Sequence, residues 1–193
     1  YIREVQKNGV AACVKHFALN NQEVERKSVD VYVDDRALHE IYLPAFKAAV
    51  QRAGVWSLMG SYNKYRGTHC CHNDRLLNDI LKGEWGFDGA VISDWDGTHD
   101  TREAALNGLD LEMGTSTPEM KEMGNRRFNA YYLADPFLKM LRSGEVEEKV
   151  LDEKGRVDPT RLNAFIFDQC QSGYYKVGEK VGQAWKSGTR FMK

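Results

Sequence analysis

Four short apolar runs, each ending abruptly in polar residues, punctuate the N-terminal 114 residues of the chain. Residues 9–17 (GVAACVKHF) are apolar from Val10 to Val14 and end on Lys15 and His16. Residues 55–61 (VWSLMGS) lead to Tyr62 and Asn63. Ala90-Val91-Ile92-Ser93 breaks into Asp94-Trp95-Asp96-Gly97, and residues 109–113 end near Glu112 and Gly114. Continuous rather than alternating apolar runs are the mark of strands covered on both faces. Helical spacing fills the intervals. Asp34 or Asp35 caps a helix to about residue 53, with Leu38, Ile41, Tyr42, Phe46, Ala49 and Val50 as its stripe. Pro44 should kink or split it, and Gly54 ends it. Asn73 caps a helix that turns Leu76, Leu77, Ile80 and Leu81 inward and stops at Gly83; a third helix covers residues 100–107. Residues 18–27 read as a polar loop, and residues 28–33 as a short extended segment.

These four strand–helix cycles predict an α/β fold with a parallel sheet, either an open doubly wound sheet or part of a (β/α)8 barrel. Residues 1–9 read as the tail of an amphipathic helix closed by Gly9. Beyond the fourth strand, the pattern gives a helix over 126–143 interrupted by Pro136 and another over 145–154. Residues 155–193 form a tail without a clean face. The start of the chain shows neither methionine nor signal-like leader and reads as the interior of a fold, so compartment stays open.

Composition changes the picture little. The 193 residues are 42% hydrophobic and 28% charged with a net charge of -1, which gives no electrostatic reason to expect nucleic acid. No apolar run approaches the roughly 18 residues of a membrane span. The cysteines Cys13, Cys70, Cys71 and Cys170 show no paired CxxC spacing and read as buried free thiols. No glycine-rich phosphate loop follows any strand.

The candidate chemistry lies at the strand ends. In a parallel sheet they share one rim, which gathers Lys15, His16, Tyr62, Asn63, Asp94, Trp95 and Glu112. Charged hydrogen-bonding groups beside an indole suit a neutral polyhydroxylated ligand such as a sugar. Simpler roles compete. Asp94 or Asp96 could cap the turn, His16 could be structural, Tyr62 could be core, and Trp95 could be rim packing. His69-Cys70-Cys71-His72 has the residue types of a metal site.

The same residues resemble glycoside hydrolase family 3, the β-glucosidase-type enzymes. The matching pieces are CVKHFALNNQE (13–23) with Arg26, SLMGSYNKYRG (57–67), GFDGAVISDW (86–95) and GLDLEM (108–113), in the family's order and approximate spacing. The resemblance implies that residues 1–154 are the C-terminal half of a (β/α)8 barrel domain, followed by a tail, 155–193, of unclear origin. It implies Asp94 as catalytic nucleophile. Lys15 and His16 would bind sugar hydroxyls, Met59 and Tyr62 would flank the nucleophile, Trp95 would pack on the sugar, and Arg26 is a looser match. Lys15 and the Tyr62 hydroxyl are expected to hold Asp94 ionised.

No cofactor or metal is called for, and the substrate would be a β-glucoside or oligosaccharide. Phe17 followed by Ala18-Leu19-Asn20 departs from the N-acetylglucosaminidase branch, and Trp95 leans towards glucosides rather than xylosides. The family's acid/base glutamate belongs to an α/β-sandwich domain, and its first barrel strands supply a sugar-binding aspartate and arginine; none of these is recognisable here. The expectation is therefore a fragment of a retaining β-glucosidase. The rivals are a non-catalytic carbohydrate-binding or assembly half-barrel, and a metal-dependent hydrolase using His16, His69, His72 and Asp94.

Overall fold

The apolar runs lie side by side as a parallel sheet. The structure is a computed structural model that describes residues 1–114, 130–147 and 150. Strands β1 (Cys13–Phe17), β3 (Ser57–Gly60) and β6 (Ala90–Ile92) pair in that order, all parallel. Between β1 and β3 the chain makes β2 (Asp30–Val31), α2 (Asp35–Ala37), a π-type turn (Leu38–Tyr42) and α3 (Pro44–Gln51). After β3 come a hairpin of β4 (Lys64–Tyr65) and β5 (Thr68–His69), a 3-10 turn (Cys70–His72) and a π-type helix (Arg75–Glu84). Helix α1 (Ile2–Gln6) precedes the sheet, and α4 (Thr101–Leu106) and α5 (Asp135–Ser143) follow it. None of these helices is long and apolar enough to cross a membrane.

Several expectations are corrected. The fourth strand is only a parallel bridge, Ile92 to Leu111, although Leu109 is fully buried. The first strand begins at Cys13 rather than residue 9, and Cys13 and Val14 are half-buried. The cause is position, since among the described residues β1 has a partner only on its β3 side. By contrast β6, paired with β3 and bridged to Leu111, is buried along its whole length. Pro44 splits its helix as expected by starting α3, but the π-type turn before it changes the helical phase and leaves Ile41 70% exposed. Gly83 stops nothing, because the helix runs on to Glu84. Pro136 starts α5 instead of interrupting a helix, as proline at a first turn costs no hydrogen bond. Residues 126–129 of that expected helix, most of the one over 145–154, Cys170 and the tail 155–193 lie outside the described residues.

The sequence reading missed a second sheet, in which β2 pairs parallel with β4 and β4 antiparallel with β5. Its two-residue turn, Arg66-Gly67, has positive φ at both positions (54° and 85°), as a tight hairpin requires.

The core beneath the sheet comes from the helix 75–84, whose Leu76, Leu77, Ile80 and Leu81 are fully buried with Phe17, Leu58 and Val91. Asn73 Oδ1 accepts from the Leu76 amide at 3.1 Å, the expected cap. A buried ion pair fixes β6 from below. Lys82 Nζ lies 2.8 and 2.9 Å from the two Asp110 oxygens, and Asp110 Oδ2 also accepts from the Val91 amide at 2.8 Å. Both side chains are under 10% exposed. Removing one partner of such a pair strands a charge away from water. Lys82→Met should therefore lower unfolding stability by about 3–5 kcal/mol in urea titration. A cost below about 1 kcal/mol would show that the pair is solvated like a surface one.

Candidate active site

The end of β6 delivers Asp94 to the sheet rim as a nearly buried carboxylate, 8% exposed. A buried carboxylate needs partners, and three segments provide them. The Trp95 amide donates to Oδ1 at 2.7 Å. His16, near the end of β1, puts Nε2 3.2 Å from Oδ2. Tyr62, just past β3, donates its hydroxyl to the same carboxylate. The parallel order β1-β3-β6 is what brings the three strand ends together.

Two ionisation states follow. Burial is the main cause that pushes the Tyr62 phenol up to about 12, with the Asp94 charge and hydrogen bond adding to it, so Tyr62 remains a donor. Burial also lowers His16, outweighing the pull of Asp94 in the other direction, so the imidazole favours its neutral form.

The other expected residues divide. Met59 is half-buried and pairs with Ile92 in the ladder, two residues before Asp94. Trp95 is 44% exposed and offers an indole beside the carboxylate. A Cβ built on Gly114 would meet the Tyr131 hydroxyl at 2.8 Å and the Trp95 ring at 3.4 Å, so both pack against that glycine. Arg26 Nη1 pairs with Glu23 at 2.8 Å and its guanidinium lies 4.8 Å over the Tyr62 ring. Lys15 does not meet the carboxylate. It is exposed and makes no ion pair with Asp94 among the described residues, whereas the half-buried His16 meets the carboxylate. Tyr62 and His16, rather than Lys15, meet the carboxylate. Glu112 accepts from the Leu133 amide at 2.8 Å.

The turn after Asp94 is tight. The Gly97 amide donates to the Asp94 carbonyl at 3.0 Å, the Asp96 amide to the Gly114 carbonyl at 2.8 Å, and Asp96 has φ +60°. A Cβ on Gly97 would come within 2.7 Å of the Cys71 sulfur, so only glycine allows this approach. Lys27 Nζ sits 3.6 Å from Asp96 and 5.3 Å from the Tyr62 ring centre, a rim contact that sequence reasoning did not find.

The four candidate metal ligands do not converge. His69 Nδ1 is 2.9 Å from the Tyr62 carbonyl, and His72 lies between Glu103 and the His99 amide. Among the described residues no group of three or more histidines, cysteines or carboxylates could hold a metal ion. Cys70 and Cys71 are buried free thiols, as expected, whereas Cys13 is half-buried.

Comparison with known proteins fits this geometry. The sequence profile described as the glycosyl hydrolase family 3 N terminal domain matches residues 1–156. A β-glucosidase of Bacteroides ovatus is 58% identical over 154 residues, which are 80% of this chain and 21% of that protein. An exo-α-(1→6)-L-arabinopyranosidase of Bifidobacterium longum is 52% identical over 116 residues, 60% of this chain and 15% of that one. Among solved structures, β-glucosidase 3B from Thermotoga neapolitana in complex with glucose superposes with a TM-score of 0.71 at 37% identity, covering 84% of this chain and 22% of that one. The chain thus spans about a fifth of the length of these first relatives. It belongs to glycosyl hydrolase family 3, through that family's N-terminal domain.

Proposed function

We propose that this chain is part of a retaining β-glucosidase in which Asp94 is the nucleophile. Residues 1–154 would be the C-terminal half of its (β/α)8 barrel, and residues 155–193 a separate tail. The observation that carries the reading is the Asp94 carboxylate, almost buried yet met by polar groups from three strand ends and flanked by an exposed indole.

The chemistry runs as follows. Asp94 attacks the anomeric carbon of a terminal β-D-glucosyl residue as the bond to the leaving oxygen breaks, forming a covalent glycosyl-enzyme. A second carboxyl group, a glutamate outside this chain, protonates that oxygen and then deprotonates the water that releases the sugar. Trp95 packs on the sugar ring. Lys15 and His16 bind its hydroxyls; the exposed Lys15 ammonium suits this role better than that of counter-ion to Asp94. Met59 and Arg26 shape the pocket around Tyr62. Hydrogen bonds that tighten as the ring flattens lower the barrier rather than merely binding substrate.

The test uses the complete polypeptide that carries this chain. On an activated aryl β-glucoside, Asp94→Asn should lose at least about 10³-fold in kcat/KM, the scale on which loss of a covalent nucleophile is felt. Asp94→Gly with added azide should recover turnover and release the α-glucosyl azide. Near-normal turnover by Asp94→Asn would sink the assignment. An aryl α-L-arabinopyranoside turned over faster than the glucoside would move the substrate class but not the nucleophile.

Tyr62→Phe removes one hydrogen bond to a charged group, worth about 1.5–3 kcal/mol. Its kcat/KM should fall roughly 10–10²-fold, read from initial rates at saturating and limiting substrate.

A further inference from the structure

His72 is almost fully buried, 1% exposed, and does not touch the Asp94 carboxylate. Its surroundings fix its chemistry. The His99 amide donates to His72 Nε2 at 3.3 Å, so Nε2 must carry a lone pair. Nδ1 therefore holds the proton, and it faces Glu103 Oε2 at 2.8 Å in a contact that lacks full hydrogen-bond alignment. The His99 ring stacks on His69 at 3.7 Å with 26° between planes, and His69 Nδ1 reaches the Tyr62 carbonyl at 2.9 Å. Tyr62 returns to Asp94 through its hydroxyl. Starting from Asp94, the chain passes through the turn 94–97 to His99, across the stack to His69, and back to Asp94 through Tyr62. His72 secures the far side of this loop, itself held where Asn107 Nδ2 donates to its carbonyl at 3.1 Å.

We infer that His72 is a positioning residue for the nucleophile: as the neutral Nδ1–H imidazole it anchors the His99 amide and so keeps the Asp94 turn in register with Tyr62. This rests on the reading of Asp94 as nucleophile. A second proton would go to Nε2 and set two donors against each other, which releases the His99 amide.

The charged and titratable groups around the stack act in both directions. His69 and His99 both oppose a charge on His72, while Asp100 and Glu103 at the start of α4 favour one. Lys64 from β4 and Lys27 from the loop after β1 oppose charge on His99, with Asp96 favouring it. Burial dominates and lowers His72 from 6.5 to about 4. A base lowered in the folded state stabilises the fold fully above its ordinary value. That stability is lost as pH falls from 6.5 towards about 4.

The test compares His72→Gln and His72→Leu with wild type in the complete polypeptide, measuring kcat/KM for dinitrophenyl β-D-glucoside against pH. Its leaving group needs no acid. Glutamine can accept from the His99 amide and donate towards Glu103 without titrating. His72→Gln should keep the neutral rate and hold it to lower pH than wild type. His72→Leu should fall roughly 10²-fold at every pH, the effect of a small misplacement of reacting groups. The inference is overturned if the glutamine variant shares the wild-type acid limb, if it is as slow as the leucine variant, or if the leucine variant matches wild type. Should the leucine variant fail to fold, the glutamine profile decides.

Nitrogen NMR of the His72 imidazole gives a readout independent of turnover. Nδ1–H with a bare Nε2 at neutral pH supports the anchor, and the opposite tautomer overturns it while leaving the glycosidase reading intact. A wild type that turns over neither the aryl β-glucoside nor the aryl α-L-arabinopyranoside would overturn both.

Discussion

A nearly buried carboxylate, on a residue only 8% exposed, is the constraint on which the rest of the site depends. Left alone in such a place it would be costly to ionise. The fold meets that cost with one backbone amide, one phenol and one imidazole, each from a different segment. No single loop could supply all three. Three parallel strands ending at one rim can, because the residues just beyond their C-terminal ends converge. The packing below serves the same end. Helix 75–84 fills the underside of the sheet, and the Lys82–Asp110 pair, through the Val91 amide, sets where β6 stops and Asp94 begins.

The surroundings of Asp94 are divided by chemistry. Polar groups come from the β1 and β3 ends, with Arg26 and Lys27 over the Tyr62 ring. The exposed Trp95 indole, backed by Gly114 and Tyr131, lies at the next position of the turn. A sugar ring has hydroxyls on its edge and an apolar face, and this division suits both. A retaining glycosidase also requires an acid; among the described residues Glu23 is paired with Arg26 and Glu112 accepts from the Leu133 amide. A chain spanning about a fifth of its relatives leaves room for that group elsewhere in the polypeptide.

Much of this was legible in the sequence, and the limits have physical causes. Strand β6, the stripe Leu76–Leu77–Ile80–Leu81 and the caps at Asn73 and Asp34 were readable because burial periodicity and capping are local. The second sheet was not, since β2 pairs with a strand more than thirty residues away and its hairpin turns on Arg66-Gly67 rather than on an Asn-Gly signature. Strand-end position identified His16, Tyr62, Asp94 and Trp95 as neighbours. It could not say that Lys15 stays exposed and leaves the pairing with Asp94 to His16, because that depends on how β1 meets the site. The histidine stack and the Lys27–Asp96 contact join separate loops, and only folded geometry brings such residues together.

The central claim is that Asp94 becomes covalently bonded to the substrate's anomeric carbon. The most direct measurement is peptide mapping by mass spectrometry after incubating the complete polypeptide with an activated 2-deoxy-2-fluoro-β-glucoside, which slows release of the intermediate. The account predicts one fluoroglucosyl group per polypeptide, carried on Asp94. Attachment to a different carboxylate, such as Asp96, Glu23 or Glu112, would contradict it.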